Sequence, residues 1–453
     1  MNAGGMTNPT DKGLFELSYP LFLQSLVMFA VMAVDMMIWS AHSPETATAL
    51  SVAGQALRIA VEFSAVMAIG AVVTISRQLG RGDADAARLT AEVASIASAA
   101  MGVGLGLALV VFGPMAMRWT APNEAVEAEA TRYLLLVGGG MAFLCFGNAV
   151  VASLRGFGMS RLVMVLGVFG AALYLGLEYW LVLGPGPATA LGVQGAGIAN
   201  VATRIVVAAV LFGVAIRVLK LRFRPAMAVR RRQAVREMAA LALPSVSAYV
   251  VYGFYQMALL GVIATHGEVA VLTRAYVMIA MSFLTLVIMA VSQGAEVMIG
   301  YRVGAGDVDA AQGLGMRASW IASGLSAGCG LVIYLASDTF LGLFTDHPAI
   351  LALGRDLLLL TIFLQPCFAF NMILFHALRA VGDVRWPVIV NQALSWALGL
   401  PLAWALCVPA GLGVAGVWYA LIAEELVKAL AMVFRWQARR RLPAPALSGD
   451  TAA

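Results

Sequence analysis

Two long, overwhelmingly apolar stretches of this 453-residue chain repeat each other at a fixed offset of 224 residues. Leu17, Ser18, Tyr19 and Pro20 open the first; Leu241, Ala242, Leu243 and Pro244 open the second. The same shift maps GRGDADAA (Gly80–Ala87) onto GAGDVDAA (Gly304–Ala311), LRGFGMSR (Leu154–Arg161) onto LRAVGDVR (Leu378–Arg385), and Trp180 onto Trp404. After a second-half loop three residues shorter, LGVQG (Leu191–Gly195) meets LGVAG (Leu412–Gly416) at a shift of 221. One offset held from Leu17 to Trp180 marks a duplicated unit. Between the copies, Arg217–Arg236 carries eight Lys or Arg and no acid. The chain reads as a first lobe (residues 1–216), a basic linker (217–236), a second lobe (237–441) and a disordered tail (442–453).

The solvent for such a chain is lipid. Hydrophobic residues make up 61% and charged ones 12%, where a soluble domain carries roughly 25% charge. Twelve runs are long enough to cross a ~30 Å hydrocarbon core as helices. They fall at 15–39, 49–76, 90–112, 130–153, 162–183 and 192–216, then at 237–264, 270–299, 314–336, 352–377, 386–408 and 412–434. The runs are continuous and not alternating, which disfavours a barrel. Six spans per copy make both copies enter from the same side, so the expectation is an all-α polytopic membrane fold of two parallel six-helix repeats. Of 29 Lys and Arg, 22 lie at the termini and in the even-numbered connections, and four in the opposite loops. The positive-inside rule then places both termini in the cytoplasm, in a multi-pass inner-membrane protein. Met1–Gly13 lacks the signature of a cleavable signal, so the first span is expected to direct its own insertion.

Several function classes drop out. The cysteines Cys145, Cys329, Cys367 and Cys407 sit in apolar runs without metal spacing, and four scattered histidines offer no metal centre. Positive charge confined to a linker and a tail points to anionic lipid and not to nucleic acid. The Gly-rich loops lack the GK[ST] ending of a phosphate-binding loop; their glycines and Asp83 or Asp85, Asp307 or Asp309, suit a tight turn and a helix cap. Without an ATPase motif, pumping must run on an ion gradient, and no cofactor is expected.

Ionisable groups inside spans are costly and mark function. Asp35 lies 18 residues after Leu17, and Glu178 lies 17 after Arg161; at about 1.5 Å per residue both reach roughly 25 Å from the cytoplasmic end. Their repeat counterparts are Leu259 and Leu402, so the shared scaffold does not demand them. Desolvation and a neighbouring carboxylate both favour a protonated carboxyl, which makes such a pair able to take and release protons. Asn200 in span 6 and Tyr174, one turn from Glu178, are candidate partners; bridging between helices is the plainer role for both. Arg58 and Glu62 share a face of span 2 and can neutralise each other. Arg204 matches Glu425 by the 221 shift, beside Glu424 and Lys428. In the second copy Tyr249, Tyr252, Tyr255 and Gln256 form a stripe, with Met281 in span 8 and Asn371 and His376 in span 10 as further candidates for a substrate cavity. Aromatic and Met surfaces adapt to flat, amphiphilic or cationic guests, though packing claims most such residues.

These features together resemble the multidrug and toxic compound extrusion (MATE) family over about residues 14–436. The resemblance rests on the two halves, a Pro in spans 1 and 7, Val34–Asp35, QLGRGD (Gln78–Asp83) with its echo RVGAGD (Arg302–Asp307), and the LRGFGMSR and LGVxG segments. It implies secondary-active export of small organic molecules, driven by protons or sodium, with two lobes alternating access to a central cavity and no catalysis. Span 5 carries its acid as Glu178 but has Tyr174 where the family commonly has Asn. The acids of spans 7 and 10 in the NorM-like branch are missing: Tyr252 stands near the first place, and Cys367 and Phe368 follow Pro366. That favours proton antiport through the first lobe, as in the DinF-like branch, over sodium coupling. A flippase for a lipid-linked intermediate is the alternative, but it would line its cavity with cations, and only Arg58 and Arg204 are candidates. A monomer in contact with membrane lipids is expected.

Overall fold

The computed structural model describes residues 13–121, 123–184, 190–222 and 228–439. The expected tail and part of the basic linker lie outside them. The described residues are helical, with no strand among them. In chain order the helices are α1 (Leu14–His42), α2 (Pro44–Ser64), α3 (Val66–Gly80), α4 (Ala84–Thr120), α5 (Glu124–Gly139), α6 (Met141–Gly156), α7 (Ser160–Leu183), α8 (Gly192–Arg217) and α9 (Ala228–Ala264). Then come α10 (Glu268–Gly304), α11 (Val308–Leu335), the short α12 (Ser337–Gly342), α13 (Pro348–Ala380), α14 (Arg385–Leu394), a π-helical turn Ser395–Gly399, α15 (Leu400–Cys407) and α16 (Gly413–Arg439).

Among the described residues ten helical segments are long and apolar enough to cross a membrane, with α2–α3 and α14–α15 each counted as one. The pair α5–α6, bent by 52°, makes eleven if taken as a single span. An unbroken span was expected over 130–153; the glycine run Gly138–Gly139–Gly140 interrupts it, because a residue without Cβ stabilises helix least. Helix α16 has the length of a span, 27 residues, but carries Glu424, Glu425 and Lys428 mid-helix.

The duplicated motifs have the same backbone explanation in both copies. Gly82 and Gly306 take φ of 78° and 81°, the left-handed turn open to glycine. The following acid then caps the next helix: Asp83 accepts from the Ala86 amide at 2.9 Å, and Asp307 from the Ala310 amide at 3.1 Å. Of the two acids in each loop, the first does the capping. In the LGVxG segments the last glycine permits backbone contact. A Cβ on Gly195 would lie 2.5 Å from the Leu181 carbonyl oxygen, and one on Gly416 would lie 2.7 Å from that of Leu406.

The chain divides into two compact units, Leu23–Val246 and Met1–Phe22 with Ser247–Ala453. Both divisions fall two residues past the equivalent prolines Pro20 and Pro244. In the first unit α4 packs along α5 and α6, and α7 along α8. Its core gathers Leu50, Met117, Tyr133, Leu134 and Met141. The described end of the basic linker is tied to α4 by Glu92, whose Oε1 accepts from the Arg222 amide at 2.5 Å. In the other unit α13 is central, packed by α10, α11 and α16. Trp418 is fully buried and donates Nε1–H to Thr361 at 3.0 Å.

Candidate functional site

The first unit brings Asp35 and Glu178 together. Asp35 sits on α1 and Glu178 on α7, and the two carboxyl groups are close enough to share a hydrogen bond when one carries a proton. Glu178 is fully buried. Its Oε1 accepts from the Trp39 indole Nε1–H at 2.9 Å and from the Tyr174 hydroxyl at 2.8 Å. Glu178 Oε2 and Asp35 Oδ1 are buried without a donor. A buried acceptor left unpaired is costly, and a proton held between the two carboxyl groups would supply what the protein does not. The arrangement offers two acids, with one side of the pair met by fixed donors and the other empty of them.

Trp39 was missed in the sequence. It stands one turn after Asp35, on the same face of the helix, and an indole N–H is a donor that needs an acceptor when buried. That spacing was the available signal. Tyr133 on α5 also lies near, within electrostatic reach of Asp35, Glu178 and Arg204. Tyr174 takes the expected place. Asn200 does not: its Oδ1 is buried without a partner, and it makes no hydrogen bond to the pair.

The remaining first-half candidates go elsewhere. Arg204 Nη1 donates to the Val137 carbonyl at 3.3 Å and touches Met141 Sδ at 3.5 Å. It thus fills the break between α5 and α6, where helix-end carbonyls need outside donors. Arg58 is exposed, and it forms no ion pair with Glu62. A shared helix face permits that pairing without requiring it.

The tyrosine stripe of the second half splits. Tyr255 is buried and donates its hydroxyl to Glu424, so it is a core residue and not cavity lining. Tyr249 and Tyr252 are both 39% exposed. Tyr252, Gln256 and Met281 line a cavity of about 320 Å³ together with Arg274, Gln365 and Glu425. Gln256 donates to the Tyr252 oxygen at 2.6 Å and accepts from Arg274 Nη2 at 2.9 Å.

Beneath the cavity lies a dense polar cluster on α16. Lys428 Nζ binds Glu424, and Glu425 Oε1 at 2.9 Å. Ser395, in the π-helical turn, donates to Glu424 Oε1 at 2.8 Å, and Asn371 donates to Glu425 Oε2 at 2.9 Å. Asn371 thus holds a carboxylate and does not line the cavity. Gly399 ends the same turn, and any Cβ there would collide with the Glu424 carboxylate. The widened turn wraps around the acid, a use of π-helix typical of special sites. His376 is elsewhere again, buried near the end of α13 with Nδ1 3.2 Å from Glu296 Oε2. Arg379 grips the same carboxylate with both nitrogens, Nε at 2.6 Å and Nη2 at 2.8 Å. This is a structural knot between α10 and α13.

Comparison with known proteins agrees with this scaffold. The uncharacterized transporter YisQ of Bacillus subtilis (strain 168) is 29% identical over 449 residues, covering 96% of each chain. The probable multidrug resistance protein NorM of Pseudomonas aeruginosa is 26% identical over 461 residues, covering 95% of this chain and 90% of that one. In fold, a multidrug resistance MATE family transporter of the MOP superfamily superposes with a TM-score of 0.87 at 19% identity, over 96% of each chain. The MatE family model matches twice, over residues 20–180 and 244–405, the second match starting 224 residues after the first, at the period of the repeat. The chain belongs to the MatE family.

Proposed function

We propose that this chain exports amphiphilic or cationic organic molecules by proton antiport, with Asp35 and Glu178 as the proton site. It is a secondary-active transporter of the multidrug efflux kind and not an enzyme. The observation that carries the proton assignment is the carboxyl pair with one donor-free buried oxygen on each partner. A sodium ion would ask for several oxygen ligands around it; here Glu178 already spends Oε1 on Trp39 and Tyr174. The second-half acids Glu424 and Glu425 are held by Lys428, which further favours protons over sodium. A flippase for a lipid-linked intermediate, which would line its cavity with several cations, is disfavoured because, among the described residues, Arg274 is the one cation lining the second-unit cavity and Arg204 turns to the Val137 carbonyl.

In this reading α16 is the twelfth span and α5–α6 the fourth. The halves form two parallel six-helix repeats, with lobes 1–216 and 237–441 joined by the basic linker on the cytoplasmic face. Both termini then lie in the cytoplasm and the protein sits in the inner membrane as a monomer, its basic linker on anionic lipid. The polar margins Tyr249, Tyr252, Gln256 and Met281 face the transported molecule, in contact with lipid-soluble guests through aromatic and sulfur surfaces. Alternating access would carry a proton inward for each substrate carried out.

The test is transport by purified protein in liposomes, with a pH gradient or a sodium gradient imposed separately. Uptake of a fluorescent organic cation driven by the pH gradient alone is expected. Sodium-driven uptake at fixed pH, with no response to the proton gradient, would overturn the assignment.

A further inference from the structure

The backbone that leaves α8 is strained at one residue. Lys220 takes φ of 57°, and it is the one residue other than glycine with positive φ among the described residues. An L side chain is disfavoured in that region, where glycine is at ease. The surroundings hold it there. Leu219 and Leu221, on either side, are buried. The Leu221 amide donates to the Ala215 carbonyl at 3.0 Å, and the Arg222 amide donates to Glu92 Oε1 on α4 at 2.5 Å. With the two leucines turned in, Lys220 and Arg222 are turned out and exposed.

Between this segment and the first turns of α4 lies a pocket of about 280 Å³, lined by Asp85, Arg88, Leu89, Glu92, Lys220 and Arg222. Three of these six are cations. Among the described residues neither Lys220 nor Arg222 has an ion-pair partner, and the sequence holds no acid from Arg217 to Arg236. Arg88 gives Nη1 to Asp85 at 3.1 Å, but the Asp85 side chain is 95% exposed, so water screens that pair. Arg88 Nε is buried without an acceptor. A donor kept from water and left unpaired is costly, and it calls for an oxygen. Glu92 is the buried acid of the pocket, and its Oε1 is already used on the Arg222 amide. The balance of the site is positive.

We propose that this pocket binds the phosphate group of an anionic phospholipid, with Arg88, Lys220 and Arg222 around the phosphate oxygens. Guanidinium groups take phosphate through paired hydrogen bonds, and an ammonium adds a compact charge. Basic pockets between membrane-spanning helices suit such headgroups. A free phosphate offers the same oxygens, but the neighbourhood favours a lipid. Ile216 stands four residues before Lys220, and Ile96 four after Glu92. Both are exposed apolar side chains, about one helical turn from the pocket, where acyl chains would lie. The inference rests on the orientation proposed above in assigning the pocket to the inner leaflet. It deepens that reading from a general attraction of the basic linker for lipid to a defined site.

The probes are phosphatidylglycerol and phosphatidylcholine with the same acyl chains, and glycerophosphoglycerol, the first headgroup without chains. Binding to the purified full-length protein in detergent is read by native mass spectrometry. The wild type is expected to hold phosphatidylglycerol roughly tenfold more tightly than phosphatidylcholine. The decisive variant is Lys220→Gly. Glycine accepts this backbone, so the melting temperature without lipid should stay at or above that of the wild type. Affinity for phosphatidylglycerol should fall about fivefold, the share of one basic residue near an anionic headgroup. Arg161→Gln removes an exposed cation outside the pocket and should leave the affinity unchanged. Equal affinity of the wild type for the two lipids would overturn the proposal. So would a Lys220→Gly protein that keeps the full preference. Displacement of the lipid by an equal concentration of glycerophosphoglycerol would also overturn it, since the site would then take soluble phosphate. Orientation is scored apart, by trypsin access to the linker in sealed right-side-out vesicles. Lipid binding with a linker cleaved from outside would sink the inner-leaflet placement alone, and a protected linker without lipid preference would sink this site alone.

Discussion

The indole Nε1 of Trp39 and the Oε1 of Glu178 lie 2.9 Å apart, joining α1 to α7 through a fully buried carboxyl. With Tyr174 on the same oxygen, Glu178 is held on one side and left open toward Asp35. Trp39→Phe keeps the ring and removes the donor. The loss of a hydrogen bond to an acid is worth about 1.5–3 kcal/mol when that acid is ionised. The variant should unfold at lower temperature in detergent and transport more slowly at unchanged membrane abundance. Full wild-type transport with unchanged thermal stability would show that the indole is a packing residue only.

Asp35→Asn places a neutral amide beside Glu178 at every pH. Insertion should survive, since burying an amide costs less than burying a charge. Proton-driven efflux should fall at least tenfold, as the pair can no longer exchange its shared proton. Glu178→Gln should act in the same direction and somewhat less, because Asp35 would still titrate. The two carboxyl groups lie within hydrogen-bond reach of each other, so their effects should not add. Drug resistance of cells, scored against the amount of variant in the membrane, checks this; wild-type resistance from a well-inserted Asp35→Asn protein would move the proton site elsewhere.

Glu296 with Arg379 is a buried bidentate pair, 2.6 and 2.8 Å, with His376 against the same carboxylate. Removing one partner of such a pair costs about 3–5 kcal/mol. Glu296→Gln should therefore strongly lower thermal stability in detergent. The joint change Glu296→Leu with Arg379→Met should recover much of the loss, since no uncompensated charge remains. If the single change is neutral, the knot carries no stability.

Gly195 and Gly416 are equivalent in the repeat, and both let backbones touch. A Cβ at either position meets main chain, which yields less readily than a side-chain tip. Gly195→Ala and Gly416→Ala should each cost about 1–3 kcal/mol, the usual penalty of overpacking. Both should reduce the folded fraction recovered from membranes, measured by fluorescence size exclusion. A change harmless in one half and harmful in the other would mean that the repeat does not share this contact.

What the sequence determined by itself is local or periodic. Apolar runs marked where helices form, because lipid leaves a backbone no other way to satisfy its hydrogen bonds. The 224-residue offset exposed the duplication that the twice-matching family model reproduces. A capping acid in each Gly-rich loop, and Tyr174 one turn from Glu178, were legible because each relation spans four residues or fewer; which of the two acids caps was left to the structure. Only the tertiary structure decided which faces meet. These spans are apolar nearly all round, so no stripe reveals their rotation, and each residue turns the face by about 100°. Trp39 therefore reached Glu178 while Asn200 did not. Tyr255 turned inward to Glu424 while Tyr252, three residues earlier, faced the cavity. Arg204 went to the Val137 carbonyl, beside the point where Gly139 and Gly140 interrupt a span that composition alone presented as continuous. Each of those outcomes depends on partners far apart in the chain, and such partners are chosen by packing, which hydropathy does not encode.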